Sequence, residues 1–197
     1  SAPARPVRSR TRVVPTSPSS RPDLDPDAAA LVWEGPPADP IQVRHEAAHQ
    51  LAFNTGVLKR GVTYPLWVSE GLATNFEAPT EPLEQGLGPN PCRLQDVRIA
   101  RAAGTLAPLE EFVVLTRLPA APSERATAAY AQAWATWRFF FQRRPNELKR
   151  YLAALAAPTP GRRSRDRLLL EFESAFGPPE GLDGEWQDFL RELRAGT

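Results

Sequence analysis

Cysteine, histidine and methionine are nearly missing from this 197-residue chain, and each shortage excludes something. A single cysteine, Cys92, rules out an intrachain disulfide framework and any cysteine-based zinc cluster, and leaves the redox compartment open. With 24 basic and 23 acidic side chains the formal net charge is +1, so no one-signed field exists to draw nucleic acid or an anionic membrane. No uninterrupted apolar run reaches the roughly 18 residues of a membrane span, and the N-terminal "SAPARPVRSR" lacks the apolar centre of a signal peptide. The chain is therefore expected to be soluble, without membrane insertion. Methionine is absent even from position 1, so the chain is expected to begin after processing or to belong to something longer. A signal segment removed in that way would make it extracytoplasmic. The piece "GLGPNP" lacks the third glycine and the lysine of a phosphate cradle, no repeat period occurs, and the arginines of "GRRSRDR" read as a solvated loop.

Proline, by contrast, is plentiful and unevenly spread: nine of the 22 fall in the first forty residues. Only "TRVVPT" and "AALVWEG" stand between them as short strands, so residues 1–28 read as an extended proline-rich arm and 29–197 as the folded domain. From Ile41 onward the apolar spacing becomes helical, broken by proline and glycine. Near the end, "RDRLLLEFESAF" stops at Gly177-Pro178-Pro179, and "DGEWQDFLREL" is expected to open on Asp183 with Trp186, Phe189, Leu190 and Leu193 on one stripe. The expected fold class is α+β and predominantly helical.

Both histidines of the chain lie in "RHEAAHQ", residues 44–50. Four residues apart on a helix, His45 and His49 are rotated by only about 40° and project from one face toward one point. Glu46 sits about 100° further round, able to reach a water on an ion shared by the histidines without being a ligand itself. A catalytic zinc takes three protein ligands plus a water, so a third ligand is needed. Glu70 in "YPLWVSEGLATNFE" is the candidate, with twenty residues between it and His49 and with Ser69 expected to cap its helix. Read without a metal, Glu70 simply favours the positive end of its helix dipole, and the two histidines are ordinary helical residues.

"HEAAHQLAFNTG" followed by "LWVSEGLATNFE" resembles the gluzincin metallopeptidases, above all the zinc aminopeptidase type, where HExxHQ…GN precedes W-L-N-E-G-F-A…E. The resemblance implies that His45, His49 and Glu70 bind Zn2+ and that Glu46 activates water. "GPNPCRL", "LAPLEEF", "YAQAWATWRFF" and "AFGPPEGLDGEWQDFLREL" follow in an order similar to an uncharacterised bacterial gluzincin-like family with HEATHQ and WLSEGLA motifs. That template covers most of residues 41–195 and implies zincin-like active-site helices with a small, truncated N-terminal sheet lying on them. Thr74 and Glu77 share the Glu70 face at four and seven residues on, so either is a candidate acceptor for the remaining imidazole N–H. Gln50 and Asn54 also match the family pattern, and a polar helix end explains them equally well.

The activity implied is peptide-bond hydrolysis, with a peptide or protein as substrate. No G-x-M-E-N segment precedes the motif, so an aminopeptidase is not expected, and only 44 proline-rich residues precede His45 to supply an edge strand for substrate. A module that keeps zinc for binding or structure without turnover is the rival expectation. A metal-free helical interaction domain is the third, and it requires all three ligands to be incidental. Tyr130 is the remaining catalytic candidate, because gluzincins often carry a downstream tyrosine that donates to the oxyanion. Tyr130, Trp134, Trp137 and Phe141 also fall at i, i+4, i+7 and i+11, the spacing of a buried apolar stripe.

Overall fold

The computed structural model describes residues 12–14, 30–32, 39–78, 90–119, 123–157 and 161–193. The chain divides into two units, Ser1–Pro40 and Ile41–Thr197. In the first, β1 (Arg12–Val14) pairs antiparallel with β2 (Ala30–Val32), with Val13 opposite Leu31.

The second unit is helical: α1 (Pro40–Asn54), α2 (Leu66–Thr74), α3 (Pro91–Ala102), α4 (Leu109–Phe112), α5 (Ser123–Arg143), α6 (Pro145–Ala156), α7 (Arg165–Phe176) and α8 (Pro179–Glu192). Predominantly helical is thus correct. The expected small sheet lying on the active-site helix is not supported: strand pairing among the described residues of this unit amounts to one isolated parallel bridge, Val62 to Gly161. None of the described helices is long and apolar enough to cross a membrane.

The centre of the unit is α5. Its alanines from Ala128 to Ala135, Trp134, Trp137, Phe139 and Phe140 are buried, so neighbouring helices can close on it from several sides. Trp67 of α2 stacks on Tyr151 of α6 at 5.6 Å and meets Phe140, Phe172 and Phe176, which joins α2, α5, α6 and α7 through one aromatic cluster. Phe139 with Trp186 and Phe189 does the same for α8.

Three sequence expectations are corrected here. Ser69 does not cap α2, whose N-cap is Pro65. The helix starts a turn earlier because Leu66, Trp67 and Val68 must all enter the core, and the fixed φ of proline suits a helix entry. Glu70 therefore lies mid-helix, where the helix dipole offers it little. Likewise α8 opens after Pro178 rather than at Asp183, which lets Leu182 join the buried stripe. Phe141, expected on the apolar stripe of α5, is 43% exposed because that stripe runs out before the last turn of the helix.

Helix α2 packs tightly on α5 at Gly71. A β-carbon there would lie 2.5 Å from the Ala133 carbonyl oxygen and 2.9 Å from Trp137 Cβ, both rigid parts of α5. Gly71→Ala gains up to about 1 kcal/mol of helix propensity, but the forced separation costs roughly 1–3 kcal/mol or more. The melting temperature is expected to fall by several degrees, at about 2–4 °C per kcal/mol for a chain of this size. A thermal melt at or above wild type would mean that the two helices part freely.

Candidate metal centre

Helix α1 presents its ligands from a thinly packed position. Ala48 and Ala52 are its buried residues, while Val43 and Leu51 on the far side are exposed. The two histidines flank this small buried edge of the helix. Past Asn54 the chain turns at Gly56, whose φ of 76° suits glycine. It is then pinned by fully buried Leu58, whose N–H donates to the Ala52 carbonyl at 2.9 Å. This short connection leads into α2, from which the Glu70 side chain reaches the histidines.

The predicted ligands do converge. His45 Nε2 lies 3.1 Å from His49 Nε2 and 3.2 Å from Glu70 Oε2, and His49 Nε2 lies 3.6 Å from the same oxygen. Zinc bonds of 2.0–2.1 Å in tetrahedral geometry set neighbouring donor atoms about 3.3 Å apart. Two imidazole nitrogens and one carboxylate oxygen at these separations therefore fit a zinc ion in both chemistry and spacing. Among the described residues, this is the group of histidine, cysteine and carboxylate side chains arranged to hold a metal.

Behind His45, its Nδ1 lies 3.0 Å from Glu77 Oε1. With the proton on Nδ1 donated to that carboxylate, the Nε2 lone pair faces the other ligands. Of the two candidate acceptors it is thus Glu77 that meets the imidazole; the Thr74 hydroxyl is buried and donates to the Glu70 and Gly71 carbonyls. Glu77 lies just beyond the end of α2 rather than on it.

Glu77 is itself surrounded by donors. Arg93 forks onto it, Nε to Oε2 at 2.8 Å and Nη2 to Oε1 at 2.7 Å, and Asn90 Nδ2 donates to Oε2 at 3.1 Å. Arg44 Nε donates to its backbone carbonyl at 2.7 Å. Sequence reasoning missed Asn90, Arg93 and Arg44. The one signal available was "NPCR", a helix start with asparagine at the N-cap and proline at the first position; Asn90 does cap α3, accepting from the Arg93 N–H. Gln50 and Asn54 are exposed, and Asn54 accepts from Arg60 Nη2 at 3.0 Å, away from the ligands.

These contacts set the charges. Burial by itself would lower the His45 pKa, but hydrogen bonds to Glu70 and Glu77 and their charges raise it to about 9. Burial would raise Glu70; its hydrogen bonds to His45 and His49 instead hold it at about 2. Glu77 is likewise held at about 2, by His45 and Arg93 against the effect of burial. Without a metal, His45 is an imidazolium between two carboxylates, and a cation taken up by the three donors replaces its Nε2 proton.

Glu46 is exposed, next to the ligand set on α1. Tyr130 of α5 is half-buried, with its ring centroid 6.1 Å from that of His45 at 75°, and the Arg93 guanidinium lies 5.3 Å from the same ring. Burial first, then the Glu70 charge, push the phenol pKa up, with Glu46 contributing, so the hydroxyl stays protonated. Tyr130 is therefore at the site, unlike the buried Trp134 and Trp137 further along its helix.

Fold and site define a helical protein with a two-histidine, one-glutamate constellation held between two adjacent helices. The chain belongs to the family described as Protein of unknown function (DUF1570), whose model matches residues 41–161. That span contains every residue of the constellation and stops short of α7 and α8. No curated protein and no solved structure matches the chain.

Proposed function

We propose that this chain is a zinc-dependent metallopeptidase of gluzincin type that hydrolyses peptide bonds and is not an aminopeptidase. The observation that carries the reading is the convergence of His45 Nε2, His49 Nε2 and Glu70 Oε2 at 3.1–3.6 Å, with Glu77 on the far nitrogen of His45. His45, His49 and Glu70 would hold the zinc, which when bound supplies Lewis acidity that acidifies water and polarises a carbonyl. Glu46 takes a proton from the attacking water and returns it to the leaving amine as the C–N bond breaks. Tyr130, kept protonated, donates to the carbonyl oxygen as that oxygen gains charge. Glu77 keeps the His45 tautomer fixed.

The test is turnover. Zinc-reconstituted protein is expected to bind one zinc per molecule and to cleave members of a mixed peptide pool, and Tyr130→Phe is expected to keep metal and melting temperature while losing about a hundredfold in rate. Substoichiometric zinc after reconstitution would sink the metal centre. One observation favours a second reading: the described residues of the helical unit contain no edge strand beside the site on which an extended peptide could pair. Full zinc with no cleavage of any peptide would establish that reading, a zinc-retaining binding or structural module.

A further inference from the structure

Arg93 does two things at once, and neither is accounted for by the ligands. We propose that it is the positioning residue of the centre, fixing the His45 imidazole through Glu77 and the Tyr130 phenol through its own flat face. The inference rests on the metal-centre reading above and deepens it.

Glu77 cannot hold His45 unaided. It lies past the end of α2, in a turn, so its backbone does not fix its carboxylate as a helical position would. All of its acceptor capacity is nonetheless used. Oε1 takes His45 Nδ1–H at 3.0 Å and Arg93 Nη2–H at 2.7 Å; Oε2 takes Arg93 Nε–H at 2.8 Å and Asn90 Nδ2–H at 3.1 Å. Two parallel bonds from a planar guanidinium fix the plane of the carboxylate, and hence the line along which it meets the imidazole. The residue is only 4% exposed, so water competes poorly for those oxygens. On its other side the guanidinium sits 5.3 Å from the centroid of the Tyr130 ring, which stands edge to face with His45. Arg93 is delivered there by the first turn of α3, where Asn90 caps the helix with Oδ1 and reaches Glu77 with Nδ2. One helix start thus supplies both outer contacts. A residue serving stability alone would need the pairing with Glu77 but not the simultaneous contact with the phenol.

The test uses metal ions alone on the full chain. Zinc and cobalt(II) affinities are measured by competition with a chromophoric chelator, the visible absorption of the cobalt form reports ligand geometry, and melts in chelator report stability. Arg93→Gln is expected to weaken zinc binding by about 10–100-fold and to change the cobalt spectrum. Arg93→Lys keeps the charge without the fork, and is expected to fall between it and wild type. In a Glu77→Gln background Arg93→Gln should cost little further affinity, since both act through one contact. Wild-type affinity and spectrum in Arg93→Lys, or a lower melting temperature as the sole change in Arg93→Gln, would overturn the proposal. A wild-type chain that binds neither ion overturns it together with the metal centre. Turnover does not enter the readout, so full affinity without cleavage counts against the peptidase reading alone.

Discussion

Glu46→Gln is expected to hold zinc as tightly as wild type and to lose roughly 10²–10⁴-fold in turnover, with KM changed little. The separation of the two effects follows from where Glu46 stands. It neighbours His45 on α1 but points about 100° away, so it is not among the three converging donors. Because it is exposed, an amide of the same size there disturbs no packing and leaves no buried group unpaired. What changes is basicity: the amide cannot accept the water proton, and among the described residues neither carboxylate beside the histidines is free to replace it. Glu70 is committed to the histidines, and Glu77 is committed to His45, Asn90 and Arg93. The Glu46 charge is nevertheless felt at the site, where it contributes, after burial and Glu70, to raising the Tyr130 phenol. Turnover kinetics on a cleaved peptide, paired with zinc content, check the prediction. Retained turnover with retained zinc would remove Glu46 from the mechanism.

The parts of the site legible in the sequence are those that local geometry dictates. His45 and His49 could be placed together because four residues of helix rotate through slightly more than a full turn, whatever surrounds them. Glu70 needed the longer motif, since the connection that brings its side chain to the histidines depends on burial of Leu58 and on the core demands of Leu66 to Val68. Those same demands displaced the helix start from Ser69 to Pro65, so a local capping signal lost to tertiary packing. Glu77 had the right spacing, although the turn after α2 delivers it rather than the helix itself. Arg93 and Asn90 stayed invisible because they reach Glu77 from a separate helix, sixteen and thirteen residues away, and no periodicity relates the two. Tyr130 and Phe141 share a stripe by count, yet one stands beside His45 and the other in solvent. A stripe says which side chains share a face, not how far along the helix that face is covered.

His49→Ala is expected to abolish stoichiometric zinc and, with it, the stability that zinc confers. Two remaining donors, His45 and Glu70, do not make the three-ligand set that a catalytic zinc requires. With free zinc at a hundred times the wild-type Kd, the lost linkage is about 2.7 kcal/mol, or roughly 5–11 °C of melting temperature in a chain of this length. In chelator the picture differs, because His45 and Glu70 still satisfy one another as imidazolium and carboxylate at 3.2 Å. The signs fix where that compensation operates. His45 is raised from 6.5 to about 9, so its contribution is full below pH 6.5 and fades as the pH rises through 9. Glu70 is lowered from 4.5 to about 2, so its contribution is full above pH 4.5 and fades as the pH falls through 2. Both are therefore present between pH 4.5 and 6.5. At about pH 6 in chelator, His49→Ala and wild type are expected to melt within roughly 2 °C of each other, whereas in zinc near neutral pH they separate by the full linkage. Equal zinc content and equal melts in zinc would remove His49 from the ligand set. A large loss of stability in chelator would make it a structural residue, with the metal incidental to its conformation.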